Sequence, residues 1–249
     1  MAAAEITPRT LRLLLEYQGT DFAGWQLQTQ GRTVQGELAR CLSILLREAV
    51  IPVGAGRTDA GTHALGQVAH LHTHSDLPLE RLLRGLNGLL PPDIAVLAVE
   101  EAPSRFHARY SAKGKRYRYR IRTAKSALDR HLVWSLYQHL DLEPMIRAAG
   151  CLAGKHSFAA FCNQDPLPEN FVCQVRECGW TRQGSELVFE IEADRFLRHM
   201  VRILVGTMAK VGRGRRRPEE MGALLERADR TLAGPTAPAQ GLCLVRVEY

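Results

Sequence analysis

The chain has 249 residues, and its 45% hydrophobic and 24% charged residues are typical of a globular protein of one large or two small domains. This composition excludes a fibre, a collagen-like repeat and a disordered chain. The mean hydropathy of −0.17, the lack of a long apolar run and a start without a signal-peptide pattern predict a cytoplasmic protein with no membrane partner. The six cysteines form no C-x-x-C pair, so we expect reduced structural thiols.

Charge is distributed unevenly along the chain. The net charge is +7, but residues 1–104 carry 8 basic and 11 acidic side chains, whereas residues 105–249 carry 25 and 15. Nine Lys and Arg residues fall in the acid-free window Arg105–Leu128, and eight fall in the acid-free window Arg195–Arg217. One such run is often a solvated face, but two of them in one half of the chain favour a surface that binds a polyanion.

The first half of the chain shows strand and helix patterns in turn. Alternating apolar residues predict the strands, three-to-four spacing predicts the helices, and Thr33 is a suitable N-cap. In chain order we predict a strand over Leu11–Tyr17, a helix from Val34 through Ala49 that ends before Pro52, a loop over Gly54–Gly61, a strand over Gln67–Thr73, a helix over Leu79–Leu89 and a strand over Ile94–Val99.

The second half mixes strands and helices in a different order. In chain order we predict an extended segment over Lys115–Arg122, a helix over Leu142–Leu152, a hairpin of Val172–Arg182 and Leu187–Ala193, helices over Phe196–Val211 and Glu219–Ala228, a loop over Gly234–Gly241 and a strand over Leu242–Tyr249. Neither half shows strict βαβ alternation. We therefore predict an α+β fold with a mostly antiparallel sheet and two parts, residues 1–104 and 105–249.

The least typical stretch is the glycine-rich segment VGAGRTDAGTHALGQ. It lacks the lysine of a Walker A loop and the third glycine of a dinucleotide fingerprint, and a strand follows where both motifs need a helix. What remains is an arginine and a carboxylate two residues apart, Arg57 and Asp59, on a constrained turn. On local grounds, an aspartate that caps its own turn explains Asp59 equally well.

Three histidines alternate after this loop, at His70, His72 and His74. Residues i and i+2 on a strand lie roughly 7 Å apart, so three such side chains converge on one metal ion only awkwardly. We expect a structural or groove-lining role and predict no metal site.

A two-faced strand follows in the segment KRYRYRIR. Period two places tyrosines 117 and 119 with an isoleucine on one face, and the other face consists of Arg116, Arg118, Arg120 and Arg122. Such an arginine row can follow RNA phosphates while a tyrosine stacks on an unpaired base. The alternative is a charged sheet edge with its aromatic rings in the core. We expect Tyr119 to serve the core, and the pattern leaves Tyr117 open.

A basic stripe accompanies the apolar side of the helix predicted after residue 194. It consists of Arg195, Arg198, His199 and Arg202. Arg202 lies within the apolar turn MVRILVG, and an arginine so close to a core seldom lacks a carboxylate partner. The alternative is a surface arginine whose aliphatic carbons are buried while its guanidinium group lies in solvent.

Four segments in order carry a resemblance: GAGRTDAGTHALGQVAH, KGKRYRYRI, FLRHMVRILVGTM and APAQGLCLVRVEY. In these segments, and from EYQGTDFAGWQ to the last tyrosine, the chain closely resembles the TruA family of tRNA pseudouridine synthases. The resemblance implies two ferredoxin-like halves that share a mostly antiparallel mixed sheet around a central cleft, and a homodimer that binds tRNA.

The resemblance also implies the catalytic residues. The aspartate of GRTDAG is the essential carboxylate of the family and matches Asp59. The arginine before it, which helps to displace the target nucleotide, matches Arg57, and the arginine of M-V-R, which pairs with the aspartate, matches Arg202.

Substrate-binding residues follow from the same likeness. The tyrosine that packs on the target uracil matches Tyr117, and an apolar residue of the pocket matches Leu242, with Leu244 as second choice. We predict that the RNA is bound by Arg116, Arg118, Arg120 and Arg198.

The implied activity is isomerisation of uridine to pseudouridine in the anticodon arm, at tRNA positions 38 to 40 in the family. This reaction needs no redox agent, ATP or hydrolytic water, so no cofactor is expected. A carboxylate suits it because it can add and depart again. Two other classes stay open: a non-catalytic RNA-binding or chaperone protein, which leaves Asp59 without a role, and a metal-dependent phosphodiesterase that uses the histidines.

Overall fold

The computed structural model describes residues 8–163 and 166–249. Within these ranges the chain forms five α-helices, ten strands and short 3₁₀ turns, which divide into two compact units. The first unit ends at Lys113 and also contains Arg246–Tyr249, and the second is Gly114–Val245. No helix of the described part is long and apolar enough to span a bilayer.

The first unit has a sheet with a central strand. Its elements are β1 (Arg9–Tyr17), α1 (Val34–Leu46), β2 (Val53–Gly54), β3 (His63–Thr73), α2 (Leu79–Leu89) and β4 (Ile94–Ala102). Strand β1 pairs antiparallel with β3 on one side and β4 on the other, and β2 pairs antiparallel with β3. Leucines 11, 13 and 15 of β1 are fully buried, as their alternation predicts.

Helix α1 begins as expected but ends early. The Thr33 hydroxyl accepts from the Gly36 N–H at 3.2 Å, which confirms the N-cap. The prediction that the helix continues through Ala49 is wrong, because Arg47 adopts a left-handed conformation (φ 57°) that ends it after Leu46.

The second unit is built on a hairpin. Its elements are β5 (Gly114–Arg122), β6 (Trp134–Ser135), α3 (Leu142–Gly150), β7 (Gly154–Ser157), β8 (Val172–Gln183), β9 (Glu186–Ala193), α4 (Met200–Gly212), α5 (Glu220–Arg227) and the start of β10 (Leu242–Glu248). Strand β9 pairs antiparallel with β8 and β5, β7 pairs antiparallel with β8, and only β6 on β5 is parallel among these pairs. The indole of Trp180 on β8 donates to the Met208 sulfur on α4 at 3.2 Å, so α4 packs against this sheet.

Helix α4 starts four residues later than predicted. His199 takes a left-handed conformation (φ 62°) at its N-cap, so the chain before Met200 is not helical. The prediction of a basic stripe on this helix is therefore wrong for Arg195, Arg198 and His199, because these residues precede α4. Of the four residues, Arg202 alone lies on α4. The α+β prediction itself is confirmed as a mixed α/β fold with mostly antiparallel pairing within the described ranges.

Candidate active site

The glycine-rich loop between β2 and β3 is held from the core side. Gln67 on β3 is fully buried and donates from Nε2 to the Gly56 carbonyl at 2.9 Å and to the Tyr17 hydroxyl at 3.3 Å. The Tyr17 hydroxyl in turn lies 2.8 Å from the hydroxyl of Thr58, which is also buried. Because buried hydrogen-bonded groups are costly to rearrange, these contacts fix the backbone around Thr58.

The segment after β1 packs directly on the same loop. The Thr58 carbonyl accepts from the Trp25 N–H at 3.0 Å. A side chain at Gly24, which has φ +106°, would place its Cβ 2.7 Å from the same carbonyl, and a Cβ at Gly19 would lie 2.0 Å from the Thr62 carbonyl. The two glycines allow a backbone approach that no other residue permits.

Arg57 and Asp59 flank the anchored threonine. The Arg57 side chain is exposed, and its Nε donates to Gln26 Oε1 at 3.0 Å. Asp59 is half-buried, and its carbonyl accepts from the Thr62 N–H at 3.0 Å, which closes the turn. The loop therefore presents a carboxylate and a guanidinium from a fixed backbone, an arrangement suited to a positioned nucleophile.

The three histidines have separate surroundings. His70 is buried, its Nδ1 accepts from the Ala108 N–H at 3.1 Å, and burial together with nearby His107 lowers its pKa to about 4. His72 Nδ1 lies 2.9 Å from the Thr10 hydroxyl, and His74 follows the end of β3. Within residues 8–163 and 166–249, no group of three His, Cys, Asp or Glu side chains is placed to hold a metal ion.

The two tyrosines of β5 lie on its buried face in the second unit. Tyr117 is 8% exposed, and its ring meets that of Phe196 edge-on at 4.9 Å between centroids. Tyr119 is fully buried and donates its hydroxyl to the Pro238 carbonyl at 2.7 Å, and burial raises its pKa. Tyr119 is thus a core residue, as expected.

Arg202 lies in the first turn of α4 and is half-buried. Its Nε donates to the Ala237 carbonyl at 2.8 Å, while its own carbonyl accepts from the Ala237 N–H at 3.0 Å. This reciprocal contact fixes the base of the guanidinium. Leu242 and Leu244 on β10 are both buried, at 6% and 0% exposure.

The arginine row of β5 is matched by a row of carboxylates. Arg116 contacts Glu192 at 2.9 Å and also Glu177, and these hydrogen bonds raise its pKa. Arg118 contacts Glu190 at 2.8 Å. Further along the strand, ion pairs join Arg120 to Glu186 and Arg122 to Asp129. The register of β5 on β9 explains the first two pairs, because Arg116 and Arg118 lie directly opposite Glu192 and Glu190. Arg120 reaches diagonally to Glu186, which lies opposite Arg122.

Arg198 lies in a different environment from that row. Its side chain is exposed and makes no ion pair with a carboxylate in the part of the chain that the structure describes, and its carbonyl accepts from the Asn163 N–H at 3.2 Å. The neighbouring Arg195 is also exposed and has no ion pair within those residues.

The predicted site residues are divided between the units. Arg57 and Asp59 belong to the first unit, and Tyr117, Arg202 and Leu242 belong to the second. The sequence did not reveal the polar residues that hold the loop, Gln67 and Gln26. The only available signal was that both lie within segments quoted for the family resemblance.

Comparison with known proteins identifies the family. A family model described as tRNA pseudouridine synthase matches residues 14–111 and 148–249. A tRNA pseudouridine synthase A of Moorella thermoacetica is 48% identical over 96% of this chain and 99% of its own length, and that of Acetivibrio thermocellus is 44% identical over 97% and 100%. That of Chloroflexus aurantiacus is 47% identical over 97% and 89%. The chain belongs to the tRNA pseudouridine synthase family.

Proposed function

We propose that this protein isomerises uridine to pseudouridine in the anticodon arm of tRNA, at positions 38 to 40, without a cofactor and with Asp59 as its catalytic carboxylate. Family membership makes it an isomerase that acts on tRNA, and this match across both halves of the chain is the observation that carries the proposal. The rigid loop that presents Asp59 supports the residue assignment.

The reaction explains why one carboxylate is sufficient. The N1–C1′ bond of uridine breaks, the detached uracil turns, a C5–C1′ bond forms and the proton at C5 is lost while N1 gains one. Substrate and product have the same atoms and oxidation state, so no co-reactant is consumed. A carboxylate can add to an electrophilic carbon and leave again, which such a sequence requires.

The remaining assignments extend this proposal to the neighbouring residues. Arg57 displaces the target nucleotide, Tyr117 packs on the uracil, Leu242 lines the pocket and Arg202 pairs with Asp59. Residues 1–104 supply the catalytic loop, and residues 105–249 supply the RNA-binding strand and helix. The family also leads us to propose two ferredoxin-like halves that share a sheet around a central cleft, a homodimer and a cytoplasmic location.

RNA contacts belong to the proposal as well. Arg116, Arg118, Arg120 and Arg198 are the predicted phosphate ligands. The exposed Arg198, without an ion pair among the described residues, suits this role best, because the three arginines of β5 already contact carboxylates.

Tritium release tests the activity. An anticodon-arm transcript with uridine labelled at C5 is incubated with the protein in buffer containing EDTA, and a second transcript carries the label in another arm. We expect release from the first transcript only. A non-catalytic RNA-binding protein would bind without release, and a metal-dependent phosphodiesterase would be inhibited by EDTA and would cleave the RNA.

Arg202 has its own test. If it holds the catalytic carboxylate through a bidentate contact, Arg202→Met should slow the single-turnover rate by at least about a hundredfold, and Arg202→Lys should fall between Met and wild type, since lysine keeps the charge but not the fork. Binding of tRNA should weaken far less than the rate. A Met variant impaired only in binding would place Arg202 among the phosphate ligands instead.

A further inference from the structure

A chain of side-chain amides connects the core of the first unit to Arg57. Gln35, in the first turn of α1, is 5% exposed. Its Nε2 donates to the Pro52 carbonyl at 2.9 Å, and its Oε1 accepts from the Leu27 N–H at 2.7 Å. Because one partner needs a donor and the other an acceptor, these contacts fix which end of the Gln35 amide carries the oxygen.

The orientation of Gln26 follows from that of Gln35. Gln26 Nε2 donates to Gln35 Oε1 at 2.8 Å, which leaves Gln26 Oε1 to accept from Arg57 Nε at 3.0 Å. Turning the Gln26 amide over would bring two oxygens together at one contact and two N–H groups together at the other. The network therefore orients the side-chain oxygen of Gln26 toward Arg57.

This contact engages only the inner nitrogen of the guanidinium. The terminal nitrogens of Arg57 make no hydrogen bond or ion pair within residues 8–163 and 166–249. An exposed arginine samples many rotamers, and a hydrogen bond at Nε from a fixed partner restricts them before any ligand arrives. The hydrogen bond thus holds Arg57 at Nε, and the terminal N–H groups of its guanidinium are available for an RNA group.

We propose that Gln26 is a positioning residue that holds Arg57 ready to displace the target uridine from the RNA stem. This inference rests on the proposed function, in which Arg57 acts on the stacked nucleotide. Extruding a base costs least when that base is already unpaired. A residue that acts through Arg57 on this step should therefore affect a paired uridine strongly and an unpaired uridine little.

The experiment compares two anticodon-arm RNAs that differ in one position. In one RNA the target uridine is paired with adenosine, and in the other it faces an abasic nucleotide. Pseudouridine formation is followed under single turnover with saturating protein. We expect Gln26→Ala to slow conversion of the paired RNA about tenfold, as for a lost hydrogen bond to a charged group, and of the unpaired RNA less than threefold.

The chain offers a matched control in Gln28. Its Nε2 donates to the Ala23 carbonyl at 3.0 Å, and it has no contact with Arg57 among the described residues. Gln28→Ala should leave both rates within about twofold of wild type.

A double variant separates positioning from a loss of stability. If Gln26 acts through Arg57, adding Gln26→Ala to Arg57→Ala should slow the paired RNA by less than about twofold. A full additional loss in the double variant, or an equal loss on both RNAs, would overturn the inference and leave the proposed function standing. A wild-type protein that converts neither RNA would overturn the proposed function itself.

Discussion

The arginines of β5, in the first basic window, and the basic residues of the second window look alike in sequence but differ in structure. In the window 105–128, each arginine of β5 contacts a carboxylate, chiefly on the neighbouring strand β9. In the window 195–217, ion pairs with Glu220 engage Arg216 and Arg217. Five other members of this window have no ion pair within residues 8–163 and 166–249, namely Arg195, Arg198, Lys210, Arg213 and Arg215.

This difference shows that a segment without acids in sequence need not lack acids in space. The glutamates of β9 lie about 70 residues after the arginines they contact, and strand register brings them together. Charge that is already compensated releases few counterions from RNA. We therefore expect the window 195–217 to supply more of the affinity for tRNA than the arginines of β5.

Removal of unpaired charge should have the largest effect on binding. We expect Arg195→Ala/Arg198→Ala to weaken tRNA binding about tenfold at moderate salt and to reduce the log–log salt slope by nearly two, if each side chain contacts one phosphate. Filter binding across a salt series measures both. The matched variant Arg118→Ala/Arg120→Ala removes the same charge from β5 and should stay within about threefold; an equal loss in both variants would contradict the comparison.

The folding stability should depend more on the paired arginines of β5 than on the unpaired arginines of the second window. Arg120 contacts Glu186 through Nε at 2.7 Å and Nη2 at 2.9 Å, and the Glu186 side chain is only 13% exposed. Arg120→Ala should lower the free energy of unfolding by about 1 kcal/mol, because it leaves a largely covered carboxylate without this partner. Urea denaturation measures the change. For Arg195→Ala, the free energy of unfolding should change by no more than about 0.5 kcal/mol. A larger loss would contradict the expected difference between the two regions.

The smallest expected effect comes from removing a carboxylate that contacts the arginines of β5. Glu190 contacts Arg118 and lies 3.7 Å from Arg116. Glu190→Gln removes that negative charge at nearly constant volume and should tighten tRNA binding about twofold, with a slightly steeper salt slope. An unchanged affinity would show that this face of β5 takes no part in binding.

Much of the fold could be predicted because local patterns decide it. The alternation of residues along a strand predicts that the leucines of β1 face the core and that the arginines and tyrosines of β5 lie on opposite faces. Helix α2 has the predicted bounds. Helix ends were less predictable. Apolar spacing continued past Leu46 and began before Met200, and left-handed residues at Arg47 and His199 set the real limits.

The site was predictable only where a residue type is unusual for its surroundings. Glycines around Arg57 and Asp59 marked the loop, and the resemblance supplied roles for both residues. The amides that hold the loop gave no such signal, because glutamine has no characteristic spacing. Gln35 and Gln67 are buried polar residues whose partners lie on other elements, so their function depends on tertiary packing.

The most direct measurement compares wild type with Asp59→Asn in both catalysis and binding. Tritium release from the C5-labelled anticodon arm is followed under single turnover, and tRNA affinity is measured on the same preparations. We predict that Asp59→Asn releases tritium at less than one per cent of the wild-type rate while its affinity stays within about tenfold, because one neutralised carboxylate is a small contribution beside many phosphate contacts. Release by Asp59→Asn above one per cent of the wild-type rate would contradict the assignment of Asp59 as the catalytic carboxylate.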